Sequence, residues 1–294
     1  MEIIYPAFQD ALREPDPSFQ KEWEAAEELG LRWHVFDFEA LIAGNFQRAF
    51  RFLRPGAGQT VLYRGWILKE AEYENLGREL QLRGYSLFTS TKAYANANYF
   101  PNYYEKIINL TPPAVWVAGV DFRQAWMKAK ELGEPPYIIK DYVKSAKELW
   151  NEACYIPANA SKSKFYDACR RLVKYRGDGF ERGIVIRPYV PLRFLDDNPF
   201  GSQPIFEEYR LFFLNGSLFW TSAYDRVGGD HTDFSKFLSL GDSIDSPFFT
   251  ADIARTADGD LILIELGDGC VSSLPPSVLR IQFYKKLAEL LQSF

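Results

Sequence analysis

The dipeptides Asn215-Gly216 and Asp258-Gly259 each sit between two apolar runs, and they constrain the second half of this chain more than any other feature. Residues of this kind tolerate positive φ, which a tight hairpin turn demands, so the flanking segments must pair as adjacent antiparallel strands. The spacing predicts strands over residues 206–214 and 217–223 around the first turn, and over 249–255 and 261–265 around the second. Further strands are expected at 137–143 and 184–190. The first 110 residues keep a different rhythm. Apolar runs at 3–7, 34–36, 61–63 and 86–88 alternate with helical spacing at 19–29 and 70–83, where Tyr73, Leu76 and Leu80 recur on one face. That alternation predicts an α/β domain with a parallel sheet. Pro112-Pro113 and Pro135-Pro136 bracket a helix at 122–132, and the first pair marks a boundary near residue 111, because consecutive prolines disfavour helix continuation. An amphipathic helix over 278–291 follows Pro275-Pro276.

Composition narrows the function classes. With 47% hydrophobic residues, 24 Phe and 17 Tyr, the chain has ample apolar material for a core, which excludes a disordered or fibrous protein. A net charge of -5 argues against duplex nucleic-acid binding as the main activity, while leaving room for a local basic face. Cys154, Cys169 and Cys270 are odd in number and lack CxxC spacing, which argues against a disulfide framework or a cysteine zinc site and points to a reducing compartment. The N-terminus has no signal-peptide pattern and no window is apolar enough to span a membrane, so a cytoplasmic protein without a membrane partner is expected. His34 and His231 are the only histidines, so the chemistry must rest on Lys, Arg, Asp and Glu.

Charged residues inside apolar strands are the candidates. Lys140 closes the run Tyr137-Ile138-Ile139, and Lys144 follows four residues on, sharing its face if the strand persists; two ammonium groups together suit a polyanion such as a triphosphate. A strand-end lysine reaching solvent is the plainer alternative. Arg187, between Ile186 and Pro188, and Arg210, between Tyr209 and Leu211, either pair with a carboxylate or line a site. Pro188 lacks an N–H, which leaves Tyr189 and Val190 to offer the amide edge that an adenine needs. Asp252 and Glu265 stand on strands joined at Asp258-Gly259, with Asp268 close behind, and clustered carboxylates of this kind suit magnesium with substrate phosphates. Arg64, after Val61 and Leu62, is either a structural ion pair or a contact to a second substrate.

The order of these elements resembles the ATP-grasp superfamily. The matching segments are KDYVKSAKELWNEACYIP at 140–157, GIVIRPYV at 183–190, EEYRLFFLNG at 207–216 and DIARTADGDLILIELGDG at 252–269, with VLYRGWIL at 61–68 similar to the element before the grasp domain. The resemblance is to a divergent clade that includes bacterial and phage proteins and the eukaryotic assembly chaperone of translation initiation factor 2. It implies an α/β and α+β fold: a Rossmann-like pre-ATP-grasp domain over 1–110, a small lobe over 111–190 and a large lobe with the metal-binding hairpin over 191–294. It also implies ATP and magnesium as cofactors. Lys140 and Lys144 would hold phosphates, Arg187, Pro188, Tyr189 and Val190 would form the hinge beside adenine, and Arg210, with Lys144, would act on the transferred phosphoryl group. Asp252 and Glu265 would hold magnesium. Two departures stand out. Gly267 occupies the Asn position of the family's Glu-x-Asn, with Asp268 as its expected substitute, and a glycine-rich phosphate loop is replaced by the polar residues 159–164, expected to form a flexible lid.

The activity so implied is that of an ADP-forming carboxylate-amine ligase acting through an acyl phosphate on carboxylate and amine substrates, peptide or protein among them. A non-catalytic ATP-binding assembly chaperone is the rival. A nucleic-acid ligase using a lysyl-nucleotide is weaker, because Lys140 opens Lys-Asp-Tyr-Val where that chemistry uses Lys-x-Asp-Gly.

Overall fold

The computed structural model describes residues 2–196, 204–224 and 232–292, so His231 lies outside the described residues. The N-terminal part is built on β1 (Glu2–Phe8), β2 (Ala11–Pro15), β3 (Trp33–Phe36), β4 (Gln59–Tyr63) and β5 (Tyr85–Leu87). Strands β3, β1, β4 and β5 run parallel in that order, as the alternating pattern requires, and β2 folds back antiparallel on the end of β1. The connections carry α1 (Gln20–Glu28), α2 (Phe38–Ile42), α3 (Phe46–Ala49) and α4 (Glu70–Leu82). Tyr73, Leu76 and Leu80 of α4 are fully buried against the sheet. Helices α2 and α3 have too few turns to show a period, yet Asp37 and Asn45 cap them through their side chains.

Helices α5 (Thr91–Asn98) and α6 (Phe100–Ile107) lead to a second sheet, β6-β9-β7-β8, antiparallel throughout, formed by β6 (Val115–Ala118), β7 (Tyr137–Asp141), β8 (Tyr155–Ile156) and β9 (Gly183–Pro188). Helices α7 (Phe122–Ala129) and α8 (Lys162–Arg176) cover one face, where Ala125, Ile139, Phe165, Cys169 and Ile186 form a core. Strand alternation sends Lys140 and Arg187 to the opposite face.

Two expectations fail here for local reasons. Strand β7 stops at Asp141 rather than running to Val143, because the Asp141 carboxylate accepts from the backbone N–H of Val143 (2.7 Å) and Lys144 (2.5 Å) and turns the chain. Lys144 therefore reaches its position through a turn, not through the pleat. The supposed lid at 159–164 is in part the start of α8: Ser161 accepts from the N–H of Lys164 as N-cap, and Lys162 to Lys164 are the first helical turn.

The ribbon β10 (Phe194–Asp196) with β11 (Ile205–Phe206) precedes the third sheet, ordered β13-β12-β14-β15, from β12 (Glu208–Leu214), β13 (Ser217–Ala223), β14 (Phe248–Arg255) and β15 (Leu261–Asp268). Asn215 and Gly216 both take positive φ at the first hairpin, as does Gly259 at the second. One face of this sheet, with Leu211, Phe213, Phe249 and Ala251, packs in a core with Phe100 and Tyr103 of α6 and with Leu240 of the short α9 (Leu240–Ser243). Its other face presents Phe212, Leu214 and Phe248 to the C-terminal helix α10 (Arg280–Gln292), which also packs on α1 and shares the core of the N-terminal sheet. The first core thus draws on both ends of the chain.

Arg64 is the polar pin of that junction. It is 1% exposed, donates to both Glu22 oxygens at 2.9 Å, and donates to the carbonyls of Gly269 and Ser272. Tyr284 of α10 donates to the same Glu22 carboxylate at 2.6 Å. Of the alternatives open for Arg64, the ion pair is the one observed; its guanidinium fixes the 269–272 loop rather than offering a free charge. Removing one partner of a buried pair strands the other, so Arg64→Leu should destabilise the protein by about 3–5 kcal/mol in urea denaturation. Adding Glu22→Leu should recover part of that loss, and strictly additive losses would show that the pair is not coupled.

Candidate functional site

The face of the third sheet that α10 covers is apolar only as far as the helix extends. Along β12 the sequence on that face reads Arg210, Phe212, Leu214, and along β14 it reads Asp252, Thr250, Phe248 in the antiparallel sense. The uncovered end is therefore the charged end. Ser222, Arg210, Asp252 and Glu265 are direct neighbours across β13, β12, β14 and β15, forming one transverse row.

Opposed carboxylates at Asp252 and Glu265 repel unless cations join them. Arg210 grips Asp252 with two bonds, Nε to Oδ1 and Nη2 to Oδ2, each 2.8 Å. Tyr224 donates to the same carboxylate at 3.1 Å, and its ring lies 4.9 Å from the Arg210 guanidinium carbon. From the second sheet, Lys140 donates to Glu265 Oε2 at 2.7 Å while only 5% exposed. Burial opposes ionisation of Glu265, yet Lys140, Lys144 and Lys147 together hold its carboxyl well below the usual range. Crowding by protein lowers the Lys144 ammonium, with the Lys140 and Arg210 charges acting in the same direction. Lys147 is raised despite desolvation, through Glu265, Glu208 and Asp252.

The structure thus brings Lys140, Lys144, Arg210, Asp252 and Glu265 together and adds Lys147 and Tyr224, which the sequence reading missed. Lys147 was legible in principle: it falls one helical step beyond Lys144, in KSAKE. Arg187 lies on the same sheet face as Lys140, but it donates to the Ile264 carbonyl (2.6 Å) and Thr111 Oγ1 (2.7 Å), tying β9 to β15; desolvation lowers its pKa. The expected amide edge changes. The N–H of Tyr189 already donates to Pro136 O at 2.9 Å, and the Tyr189 ring instead joins Trp150 and Tyr155 in a half-buried aromatic group, with centroids 6.2 and 5.1 Å away.

A cavity of about 790 Å³ opens beside the cluster, walled by Trp66 and Lys69, by Lys144 and Glu148, and by Ser272 and Ser273. Arg210 donates to the Ser273 carbonyl at 2.7 Å, so a hydrogen bond ties the charged row to the cavity wall. Asp268 belongs to neither. Three residues from Glu265, it points to the other face, where it is fully buried, accepts from the N–H of Cys270 at 2.9 Å, and has its own N–H on Asn98 Oδ1. Oδ2 of Asp268 and Nδ2 of Asn98 have no partner among the described residues.

Residues 131–288 match the model of an ATP-grasp domain family, the third family of its clade, and that span is more than half of the chain. The chain belongs to the ATP-grasp family. Among solved structures it is similar to the D-cycloserine synthetase DcsG (16% identity, 99% of this chain and all of that one, TM-score 0.61). It is also similar to the macrocyclase MdnC bound with precursor peptide MdnA from Microcystis aeruginosa MRC (13% identity, 100% of each chain, TM-score 0.57). A third is the ATP-grasp ligase PsnB complexed with a precursor variant, Mg and ADP (13% identity, 98% and 96% covered, TM-score 0.56). These identities establish likeness of fold. No curated protein matches the sequence.

In this ATP-grasp chain the space beside Gly267 is occupied: a Cβ there would meet Ser272 Oγ at 2.9 Å and Thr250 Oγ1 at 3.2 Å, two hydroxyls that bond each other at 2.8 Å. Two oxygens from the opposite strand and the following loop thus fill the position where an Asn side chain would stand. Among the described residues no three His, Cys, Asp or Glu converge as a metal cage. The donor set of Asp252 and Glu265 nonetheless fits magnesium, a hard cation held by one or two carboxylates plus substrate phosphates.

Burial pushes the Asp268 carboxyl up to about 7. An unfolded Asp releases its proton near ~3.9, so between those values the folded state binds more protons and stability falls as pH rises. Thermal melts should therefore show Tm rising as pH is lowered from about 8 to about 5, and Asp268→Asn should flatten most of that slope. Glu181, also raised by burial, contributes in the same sense. An unchanged slope in Asp268→Asn would contradict the assignment.

Proposed function

We propose that the protein is an ATP-dependent ligase that joins a carboxylate to an amine through an acyl phosphate, with a peptide or protein among its substrates. The observation that carries this reading is the convergence of three lysines and an arginine, from β7, the turns that follow it and β12, on a two-carboxylate row beside an open cavity. Such a cluster holds four cations against two carboxylates, so it carries excess positive charge that a nucleoside triphosphate with its metal can meet.

Lys140 and Lys144 bind the phosphates as point charges, and Lys147 adds a third. Arg210, fixed by Asp252, Tyr224 and Ser273, faces the phosphoryl group in transfer. The aromatic group of Trp150, Tyr155 and Tyr189, at the end of β9, offers an apolar wall to the base, with Arg187, Pro188 and Val190 as the hinge beside it. Asp252 and Glu265 would hold magnesium, which neutralises charge developing on the phosphates. The substrate carboxylate enters from the cavity, its oxygen attacks the γ-phosphorus, and ADP leaves with the bridging oxygen. The amine nitrogen then attacks the acyl carbon, its proton passes to solvent, and phosphate departs as the amide forms. Little covalent help is needed from the protein: position and charge suffice, which fits a site that holds no His and no reactive Cys among the described residues.

The similar structures with precursor peptides support a peptide acceptor by fold likeness. The rival reading is an ATP-binding assembly chaperone with no acceptor chemistry, and a cytoplasmic setting accords with either. Release of ADP and phosphate in the presence of carboxylate and amine pools separates them. Turnover that depends on an added carboxylate supports the ligase, whereas ATP binding without turnover in any pool supports the chaperone. Lys140→Ala should remove most of the Tm rise produced by Mg-ATP, a rise worth about 2.7 kcal/mol at a hundredfold excess over Kd. Arg210→Ala should reduce turnover by about 10²–10³-fold with a smaller loss of ATP affinity.

A further inference from the structure

A second concavity, of about 630 Å³, lies on the N-terminal sheet and shares no residue with the cavity at Lys144. It runs beside residues 31–35, so it follows β3, which pairs with β1 alone and is an edge strand. Arginines surround it: Arg13 from β2, Arg32 at the start of β3, and Arg51 and Arg54 from the segment after α3. In a chain of net charge -5 such a concentration of one sign is unexpected.

These arginines are not neutralised. Among the described residues, Arg13, Arg51 and Arg54 make no ion pair, and Arg32, at 78% exposure, has only a long contact of 3.4 Å to Glu2. Glu2 is already taken by His34 at 2.6 Å. Arg13 and Arg51 moreover converge on one ring, with their guanidinium carbons 4.8 and 4.6 Å from the centroid of Phe52, itself 40% exposed. Two like charges are thereby held within about one Debye length of each other, ~10 Å, with no acid between them. Cation–π contact with Phe52 offsets part of that repulsion, and an anion supplied from outside removes it.

We infer that this groove binds an acidic segment of a partner polypeptide, laid along the edge of β3 with carboxylates on Arg13, Arg51 and Arg54 and apolar side chains against Phe52 and Trp33. An edge strand offers backbone groups to an extended chain, and flanking pockets select alternate side chains. The open edge of β3 favours an extended polypeptide, whose backbone N–H and C=O groups can pair with it, over a nucleic acid, which has no such ladder to offer. The site goes beyond the ATP-dependent reaction and does not depend on it.

The test is fluorescence anisotropy without nucleotide, using a short fluorescein-labelled peptide of alternating Glu and Leu. Binding should weaken about tenfold or more in Arg13→Glu/Arg51→Glu, fall with added salt, and persist in Arg123→Glu/Lys128→Glu, an equal charge change on α7. Arg54→Glu tested alone guards against misfolding of the double variant and should also weaken binding. Absence of binding to the unaltered protein, equal affinity in all variants, or tighter binding of a Lys-Leu peptide or of oligothymidylate would overturn the proposal. Mg-ATP affinity measured on the same variants should be unchanged, which keeps this outcome separate from the ligase reading.

Discussion

Glu265 is a carboxylate whose ionisation is opposed by burial and favoured by three lysines. Much of the site's geometry follows from that need. Lys140 must approach from the second sheet, so β7 has to present its lysine face to the third sheet while Ile139 and Tyr137 turn to α7 and α8. Asp252, directly across from Glu265, must be satisfied separately, and Arg210 does so in a bidentate grip within its own sheet. The two facing sheets are thus joined by charge, and Arg187 adds a hydrogen-bonded tie one residue away at Ile264.

The apolar half of the same sheet face explains why the cluster lies where it does. Helix α10 closes over Phe212, Leu214 and Phe248 and stops short of the row at Arg210, so the charged residues begin where the helix's cover ends. The helix is pinned in turn through Tyr284 and Glu22 to Arg64, whose carbonyl contacts hold the 269–272 loop beside the cavity. Arg64, for which the sequence leaves an ion pair and a substrate contact both open, is thus part of the cavity wall and is held there by its ion pair.

Most of this was legible where a single physical signal ruled. Asn215-Gly216 and Asp258-Gly259 required hairpins, and charge inside apolar strands singles out Lys140, Arg210, Asp252 and Glu265 as candidates, which the structure brings into one cluster. Reading failed where a side chain redirected the backbone. Asp141 ends its strand and Ser161 starts a helix by bonding backbone N–H groups, where apolar spacing extends the strand to 143 and polar composition suggests a loop. Asp268 was grouped with Glu265 by proximity in sequence, although a separation of three on a strand sends the two to opposite faces. Lys147, Tyr224 and the Thr250–Ser272 hydroxyl pair depend on contacts between distant segments, for which local spacing carries no signal.

In the proposed ligase the internal ion pairs of this cluster are placeholders for phosphate and metal. The most direct measurement is the separation of Lys140 Nζ from Glu265 Oε2 in crystals grown with ADP and magnesium, against the 2.7 Å seen here. The account predicts that the pair opens beyond ion-pair distance, ~4 Å, with Lys140 on a phosphate oxygen and Glu265 turned to the metal. An unchanged pair, with the nucleotide bound elsewhere or absent, would contradict it.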